Sequence, residues 1–485
     1  MFKGMRWIAL SLVCAAVTGV AATASPARTA MLSVTTGPTP PIRSALFDPI
    51  FRTSQQTTAF AMASRAGATY ARIGVLWTSV APLTLPSKGF HPADPASPYY
   101  RWSRLDATVA AALANNVQPI FDIWGPPDWA YEVQPGSWTG GSPKLEALGD
   151  FATALASHYR DSVHAFSVWN EPNFTRNLYP QDPTYYRSMV NAVADSVHAV
   201  NPANLALAGE LAPYKHAASP TDKNTPIPPL DFMRTMLCIS NTTPAQRTCN
   251  TPAKFDVWTH HPYSDTGPFG QATASGGVEL GDLPKMKSLL QTAQNLGAIS
   301  SAKPVQLWVT EIGWSSNPPN TKGVPIGLET RWVAETYYQM WKSGVTLGTW
   351  FLLQDLPRST PYQSGLYFNS ADVSRAVAKP MLMPFRFPFV AYLRAGGNVQ
   401  IWGRDATSDL RAVAIQQRIG TGGAWQTVAT ITSNSYGIFR ATLSLGAKST
   451  YFLRAVAPGS GNSAAFSLTV PPNENLNVTP FPLGG

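Results

Sequence analysis

FSVWNEPNF, residues 166–174, places a carboxylate between an asparagine and a proline at the end of an apolar run. Pro172 has no N–H to give to a sheet and favours extended backbone in the residue before it. We therefore predict that Glu171 is the last residue of a β-strand. A carboxylate at a strand end is either a surface charge or a functional group, and the other strands of the chain decide between the two.

Seven further runs of β-branched and aromatic residues have the length of strands, and helical patterns separate them. Together with VHAFSVWNE (163–171), the predicted strands are SALFD (44–48), TYARIGVLW (69–77), VQPIFDIWG (117–125), NLALAGEL (204–211), FDVWTHHPY (255–263), VQLWVTEIGW (305–314) and TLGTWFLLQD (346–355). Eight strands that alternate with helices predict an α/β fold, a (β/α)8 TIM barrel spanning residues 43–387. A doubly wound open sheet is the alternative, and it is disfavoured because no glycine-rich phosphate loop follows an early strand.

The chain beyond the barrel has a different pattern. Residues 388–472 contain short alternating runs separated by Gly, Ser, Asn or Asp, and a turn every ~8 to 12 residues is typical of an antiparallel sandwich. We therefore predict a small C-terminal β-sandwich domain of the immunoglobulin or fibronectin type, followed by a flexible tail at 473–485. Its expected role is support or surface attachment, with carbohydrate binding as the alternative.

The first 24 residues have the pattern of a secretory signal peptide. Lys3 and Arg6 precede an apolar run that ends in a small-x-small sequence at Ala24, after which we expect cleavage. No other segment approaches the ~18 apolar residues of a membrane span. These features predict a secreted protein without a transmembrane segment, in which the Pro- and Thr-rich residues 25–42 form a linker.

Two cysteines remain outside the predicted signal peptide, Cys238 and Cys249. In an exported protein such a pair predicts a disulfide bond, worth ~2 to 4 kcal/mol by loop-closure arguments. Two free thiols are the alternative. A metal site is not expected, because two ligands without a nearby His or Cys do not complete a tetrahedral set.

The charges of the chain are modest and scattered. Removal of residues 1–24 deletes two basic residues and no acidic one, so the net charge falls from +9 to +7. Nucleic-acid binding is not predicted, because it normally needs a concentrated basic stripe, whereas affinity for an acidic wall or matrix polymer stays open. The 15 tryptophans and 17 tyrosines, many of them next to Pro, Gly or an acid, suit flat ligands such as sugar rings.

Polar and aromatic side chains occupy the predicted carboxyl ends of the strands, where the active sites of TIM barrels lie. The set comprises Arg72, Trp77, Trp124, Asn170, Glu171, Glu210, His261, Tyr263, Glu311, Trp314, Trp350 and Asp355. Glu171 and Glu311 belong to the fourth and seventh strands, so we expect barrel closure to bring them to opposite walls of one pocket. Cleavage of a glycosidic bond requires such a pair: one carboxyl protonates the leaving oxygen, and the other attacks the sugar or activates water.

The motifs VWNEPN and VTEIGW resemble the acid/base and nucleophile strands of clan A glycoside hydrolases, which are retaining enzymes with a (β/α)8 barrel. The motif order is most similar to that of family 39 and family 5 type bacterial glycosidases, over residues 44–385. The residues that carry this resemblance are Arg72, Asn170-Glu171-Pro172, His261, Tyr263 and Glu311-Ile312-Gly313-Trp314.

The resemblance implies that Glu171 is the general acid and base and that Glu311 is the nucleophile of a covalent glycosyl-enzyme intermediate. Their neighbours agree, because an arginine and a tyrosine donor favour an ionised Glu311, and apolar residues around Glu171 favour its neutral form. The implied substrate-binding residues are Asn170 at the sugar 2-hydroxyl, Arg72 and Tyr263 beside Glu311, His261 in the same subsite and Trp350 as the stacking platform.

Some residues of the set have open roles. Trp124 and Trp314 are either substrate-binding or core residues, and the resemblance gives Glu210 no role. His260 and His261 point to opposite faces of an extended strand and lack a third ligand, so neither a metal nor another cofactor is expected. Asn173 begins a glycosylation sequon, as do two asparagines elsewhere, and a glycan there would obstruct the site, so we expect the sequon to be unused.

The sequence therefore predicts a secreted, monomeric, retaining glycoside hydrolase that cleaves a β-linked polysaccharide or oligosaccharide. Two alternatives remain. One is a catalytically silent, carbohydrate-binding relative, and the other is a transglycosylase that uses the same intermediate and differs only in the acceptor.

Overall fold

The computed structural model describes residues 32–34, 40–137, 139–214, 226–360, 362–405, 407 and 410–468. The predicted signal peptide and the tail at 473–485 lie outside the described residues. Most of the predicted linker does so too, although Leu32–Val34 inside it forms a short strand. No helix in the described part of the chain is long and apolar enough to cross a membrane.

Eight parallel strands close into a barrel in chain order, and the eighth pairs with the first. They are β1 (Arg43–Phe47), β2 (Tyr70–Leu76), β3 (Gln118–Trp124), β4 (Ala165–Val168), β5 (Leu205–Leu211), β6 (Val257–His260), β7 (Gln306–Ile312) and β8 (Val345–Phe351). Every predicted strand is present, and the predicted TIM-barrel fold is confirmed.

Seven principal helices alternate with these strands. They are α1 (Gln56–Arg65), α2 (Ser103–Ala114), α3 (Leu145–His158), α4 (Pro183–Val200), α5 (Pro229–Met236), α6 (Leu283–Asn295) and α7 (Ile326–Lys342). In α4 the buried residues Tyr186, Met189, Val190, Val193 and Val197 follow the three-to-four-residue spacing of one helix face. That face packs against the barrel, and the opposite face is more exposed.

The interior of the barrel is layered. A buried apolar cluster fills its lower part with Ala45, Ile120, Ala165, Leu207, Val257, Trp308 and Leu347. Two residues further along the strands, where the side chains point inward again, stand polar groups such as Asp122, Ser167, Thr259 and Thr310. The period of the strands therefore places a polar layer directly above the apolar plug, at the carboxyl ends.

The end of β4 differs from the prediction. The strand stops at Val168, three residues before Glu171, which does not adopt extended backbone. Trp169 and Glu171 have φ angles of 68° and 43°. Pro172 does follow the strand as a terminator, but a left-handed turn, and not an extended residue, carries the carboxylate.

The predicted C-terminal β-sandwich is present as two antiparallel sheets. The first sheet joins Leu32–Val34, Ile438–Ser444, Asn398–Arg404 and Phe389–Leu393, in that order. The second joins Gln426–Thr432, Ala412–Ile419, Tyr451–Ala457 and Gly461–Asn462, and Phe466–Ser467 also pairs with Tyr451–Ala457.

Buried polar contacts connect the sandwich to the barrel. Arg404 is 5 % exposed and donates to the carbonyl oxygen of Ile42 at 3.0 Å and to Ser44 Oγ at 2.8 Å, next to and within β1. Trp341 at the end of α7 lies with its ring centroid 5.5 Å from that of Trp402. The first sheet is therefore held against the outside of the barrel near β1 and α7.

The predicted disulfide bond is also present. Cys238 and Cys249 are bonded, with their Cα atoms 5.6 Å apart. The bond closes a loop that follows α5, on the side of the barrel between β5 and β6.

Candidate active site

Glu171 and Glu311 meet at one imidazole. Glu311 is the penultimate residue of β7, and Glu171 lies in the turn after β4. Glu171 Oε1 is 3.2 Å from His261 Nδ1, and Glu311 Oε2 is 3.8 Å from the same nitrogen. Their side chains are 14 % and 12 % exposed. The structure therefore brings the two predicted carboxylates together at the mouth of the barrel, with both open to a ligand.

Arg72, on β2, is the centre of the charge network. Its Nη1 donates to Glu311 Oε1 at 2.5 Å. Its Nη2 donates to Asp122 Oδ2 and Asn170 Oδ1, both at 2.9 Å, and lies 3.1 Å from Glu210 Oε2. The side chain is 1 % exposed. Burial by itself lowers the pKa of Arg72, but three carboxylates raise it above the usual value, so this guanidinium is a fixed positive charge beneath Glu311.

The second oxygen of Glu311 accepts a hydrogen bond from the Tyr263 hydroxyl at 2.9 Å. Burial and then the charge of Glu311 raise the pKa of Tyr263 well above its usual value. Tyr263 is therefore a protonated donor at any working pH. Arg72 and Tyr263 together fix both oxygens of Glu311, as the sequence predicted for residues that flank it.

His261, just beyond β6, is fully buried and charged. Its Nε2 donates to Glu210 Oε2 at 2.7 Å, and its Nδ1 faces Glu171. Burial lowers the pKa of His261, but Glu311, Glu171 and Glu210 more than offset this and raise it to about 10. At neutral pH His261 is therefore an imidazolium that donates from both nitrogens. This differs from the sequence prediction for Glu171, which has a cationic donor at 3.2 Å and not apolar neighbours alone.

Glu210, on β5, contacts both His261 and Arg72, although the sequence analysis gave it no role. It accepts from Ser167 Oγ at 2.5 Å and from Thr310 Oγ1 at 2.7 Å, besides its contacts with His261 and Arg72. Burial alone would raise the pKa of Glu210, but Arg72, His261 and Ser167 lower it to about 2. Glu210 is thus a permanent anion that orients two cations.

Residues with left-handed backbone shape the turn after β4 and the end of β5. Trp169, Glu171 and Glu210 all have positive φ, which costs of order 1 kcal/mol or more for residues with a side chain. The Glu171 N–H donates to the carbonyl oxygen of Glu210 at 3.0 Å, and the Tyr186 hydroxyl of α4 donates to the carbonyl oxygen of Val168 at 2.7 Å. The surrounding structure therefore sustains the turn that presents Glu171.

Asn173 stabilises the same turn through buried hydrogen bonds. It is 0 % exposed, and its Nδ2 donates to the carbonyl oxygens of Ala212 and Ile227 at 3.1 and 3.0 Å. Its Oδ1 accepts from the Ala212 N–H at 2.9 Å. An attached glycan would break these bonds, so the structure supports the expectation that this sequon is unused.

Two residues of the site were missed from the sequence. Asp122, on β3, binds Arg72, and burial raises its pKa to about 7. A charged residue inside the apolar run QPIFDIW was the available signal. Tyr362, in the loop after β8, lies within electrostatic reach of the site, because burial and then the charges of Glu171 and Glu311 raise its pKa. No pattern in the sequence marks it.

The three predicted tryptophans occupy different environments. Trp314 and Trp350 are each 1 % exposed, and their indole N–H groups donate to the carbonyl oxygens of Ser264 and Ser364. Their rings are therefore enclosed and are not presented to a ligand. Trp124, by contrast, is 42 % exposed at the end of β3.

A cavity of about 520 Å³ opens beside Glu311 over the ends of β1 to β4. Arg72, Asn170, Trp124 and Glu311 line it, but Glu171 does not. One wall is a hairpin made of Tyr131–Val133 and Ser142–Pro143. The Gly140 N–H donates to the carbonyl oxygen of Thr175 at 2.9 Å and ties this hairpin to the loop that carries Glu171.

No group of three or more His, Cys, Asp or Glu residues in the described ranges is arranged to hold a metal ion. The side chains of His260 and His261 point to opposite faces, as the alternation along a strand predicts. His260 Nε2 donates to the carbonyl oxygen of Val278 at 2.8 Å, and His260 takes no part in the site. The side chains that contact Glu171 and Glu311 are an imidazolium, a guanidinium and a phenol.

Comparison with known proteins finds similarity in structure alone: no family model matches the chain, and no curated protein does. A family 39 glycoside hydrolase from the gut symbiont Bacteroides cellulosilyticus WH2 superposes with a TM-score of 0.50 and 17 % identity, over 83 % of this chain and 81 % of the other. The GH39 enzyme from Xanthomonas axonopodis pv. citri gives 0.49 and 14 %, over 86 % and 95 % of the two chains. A GH39 β-xylosidase from Caulobacter crescentus gives 0.49 and 15 %, over 86 % and 100 %. The first of these likenesses shows that the chain shares the fold of that glycoside hydrolase.

Proposed function

We propose that the protein is a retaining glycoside hydrolase that cleaves β-linked glycosidic bonds by double displacement. One observation carries the proposal: Glu171 and Glu311 face one charged imidazole, and Glu311 is fixed by two donors while both carboxylates stay open to a ligand. The fold shared with a glycoside hydrolase adds to it.

The contacts with His261 limit the distance between the two carboxylates. Glu171 Oε1 and Glu311 Oε2 lie 3.2 and 3.8 Å from the same nitrogen, so these oxygens are at most about 7 Å apart. Retaining enzymes separate their carboxyl groups by ~5 to 5.5 Å, whereas inverting enzymes use ~6.5 to 9.5 Å to admit a water molecule. The limit includes the retaining separation and only the lower edge of the inverting range, and in this way it favours retention.

In the first step Glu311 attacks the anomeric carbon, and Glu171 gives its proton to the leaving oxygen. Arg72 and Tyr263 hold the Glu311 carboxylate in one orientation, which keeps the attacking oxygen aimed at the sugar. Because arginine only donates, the Asn170 atom that binds Arg72 is its amide oxygen, and its amide nitrogen is left to donate to the sugar 2-hydroxyl.

In the second step Glu171, now a carboxylate, takes a proton from water as that water attacks the glycosyl-enzyme. The His261 imidazolium, 3.2 Å away, stabilises the carboxylate that the first step creates. Release of Glu311 restores the starting state, and the anomeric configuration is retained after two inversions.

The residues that line the cavity suggest which part of the substrate binds there. Its lining includes the proposed nucleophile Glu311 and the 2-hydroxyl donor Asn170, but not the proposed acid Glu171. We infer that it binds the glycone, whose C1 must reach Glu311, and that Trp124 is the stacking platform. A volume of about 520 Å³ is in the ~300 to 1,000 Å³ range of small-ligand sites and suits a short saccharide.

We further propose that the chain is exported through the predicted signal peptide and acts as a monomer. The Cys238–Cys249 disulfide supports an oxidising compartment. Mass spectrometry of the protein from culture medium tests cleavage after Ala24, and light scattering tests the monomer.

The decisive experiment is a screen of aryl β-glycosides, including xylosides and glucosides, with wild type, Glu311→Gln and Glu171→Ala. We expect Glu311→Gln to be inactive and Glu171→Ala to be rescued by azide on substrates with good leaving groups, giving a β-glycosyl azide. Proton NMR of the first product reads the anomeric configuration. Activity that survives in Glu311→Gln contradicts the nucleophile assignment, and an inverted first product contradicts double displacement.

A further inference from the structure

The second sheet of the sandwich has an outward face that is separate from the candidate active site in the barrel. Val413, Ile415, Leu453 and Ala455 are fully buried and point into the sandwich. Since side chains alternate along a strand, the residues that alternate with these four on the same strands point outward. We call this outward patch the arginine face; its residues are Gln416, Arg418, Trp425, Phe452 and Arg454.

The strand register brings these five residues together. Gln416 is paired with Arg454, and Arg418 with Phe452, across the two antiparallel strands. Gln416 is also paired with Thr427 on the third strand, which puts Trp425 beside Arg418. All five side chains of the arginine face are partly exposed.

Both guanidinium groups of the arginine face stack on one indole. The Cζ atoms of Arg418 and Arg454 lie 4.7 and 4.3 Å from the ring centroid of Trp425, and Arg418 Cζ is also 5.1 Å from that of Phe452. Arg454 Nε donates to Gln416 Oε1 at 2.9 Å. Stacking covers the flat face of a guanidinium and leaves its in-plane N–H donors for an oxygen acceptor.

The arginine face lacks a compensating negative charge. Residues 410–468 contain five basic residues and no acidic residue. Within the part of the chain that the structure describes, neither Arg418 nor Arg454 forms an ion pair. Burial and the charge of Arg418 lower the pKa of Arg454. Two like charges are therefore held together on a rigid sheet, and a bound anion would relieve their repulsion.

We propose that the arginine face binds the carboxylate groups of an acidic polysaccharide. The in-plane forks of two preorganised guanidinium groups match carboxylate oxygens, and the net charge of the region is complementary to such a polymer. The choice of a polysaccharide over another polyanion rests on the proposed function, since the same chain carries a candidate glycosidase site. The arginine face would keep the barrel near an anionic glycan.

The test is affinity electrophoresis of the full chain through gels that contain polygalacturonate, the same polymer after reduction of its carboxyl groups, or double-stranded DNA. The variant is Arg418→Gln/Arg454→Gln. The matched control is Arg394→Gln/Lys448→Gln, which removes the same charge from exposed positions of the same domain outside the arginine face.

We expect polygalacturonate to retard the wild type and the control, and the reduced polymer to retard neither. The Arg418→Gln/Arg454→Gln variant should bind about tenfold more weakly, the size of losing one or two charge-assisted hydrogen bonds. Equal binding by variant and control overturns the proposal, and so does equal retardation by DNA, which would indicate a general polyanion surface. Thermal unfolding of each variant checks that the sandwich is folded.

Turnover of an aryl β-glycoside, measured in parallel, separates this inference from the proposed function. The variant should keep wild-type turnover, because the arginine face is not part of the barrel site. An active enzyme that does not bind polygalacturonate refutes the arginine face alone. An inactive enzyme that binds it refutes the glycosidase alone.

Discussion

Glu210 and Glu329 allow one substitution to be tested in two opposite electrostatic settings. Both side chains are 0 % exposed. Glu210 has four polar partners, and its pKa is lowered to about 2. Glu329, on α7, has no hydrogen-bond partner for either oxygen among the described residues, and burial raises its pKa well above 4.5. Glu210 is therefore buried as an anion, whereas Glu329 is buried as a neutral acid.

The expected cost of Glu210→Gln follows from its pKa. A fall from 4.5 to about 2 favours the ionised form in the folded state by about 3 kcal/mol. Removal of one partner from a buried ion pair costs ~3 to 5 kcal/mol in other proteins. We expect Glu210→Gln to lower the free energy of unfolding by about 3 kcal/mol at pH 7. Glu329→Gln replaces one neutral group by another and should cost less than about 1 kcal/mol.

Urea denaturation followed by tryptophan fluorescence measures both variants, and its pH dependence checks the cause. The pKa of Glu210 is lowered on folding, so its stabilisation is complete above about pH 4.5 and is lost as the pH falls towards 2. The gap between wild type and Glu210→Gln should close over that window. A gap that stays constant, or an equally large loss in Glu329→Gln, would refute the electrostatic reasoning and leave a packing effect.

Three further outcomes follow from the geometry. Gly209→Ala should destabilise the barrel by more than about 2 kcal/mol in urea denaturation, because φ is 118° and an added Cβ would lie 2.2 Å from a carbonyl oxygen; Gly327→Ala, in a helix with open space, should instead stabilise by up to ~1 kcal/mol. Tyr263→Phe removes one of the two donors to Glu311 and should lower kcat on an aryl glycoside by ~10² with an unchanged fold by circular dichroism; a wild-type kcat would contradict the role of the phenol. Trp124→Ala should raise KM for an oligosaccharide more than for an aryl monoglycoside, and equal KM changes would argue against a stacking platform.

The barrel was predictable from the sequence because its period is local. Each strand is a short apolar run with turn residues at its ends, and the eight runs alternate with helical patterns. The proximity of Glu171 and Glu311 was also predictable, because each lies at the carboxyl end of such a run. The conformation at Glu171 was not predictable, because the left-handed turn depends on contacts between separate parts of the chain. The Ala212 N–H donates to Asn173 Oδ1, and the Glu171 N–H donates to the carbonyl oxygen of Glu210 on β5.

Burial was the property that sequence reasoning could not supply. Trp350 lies at the end of β8, as a stacking platform would, yet it is 1 % exposed and its N–H donates to the carbonyl oxygen of Ser364 in the loop after β8. Trp124 stands at the end of β3 in a similar pattern and is exposed. The difference depends on the path of the following loop, and no local pattern in the sequence encodes that path.

The charged residues at the barrel mouth form one network, in which each buried charge is compensated by another. Arg72 and His261 are buried cations, and each is acceptable there only because carboxylates from other strands contact it. Glu210 contacts both cations and connects the binding of Glu311 by Arg72 to the binding of Glu171 by His261. These residues come from β2, β5, β7 and the turns after β4 and β6, so the network forms only when the barrel closes. The same closure that compensates the buried charges therefore also sets the separation and orientation of the two carboxylates that we propose to carry the reaction.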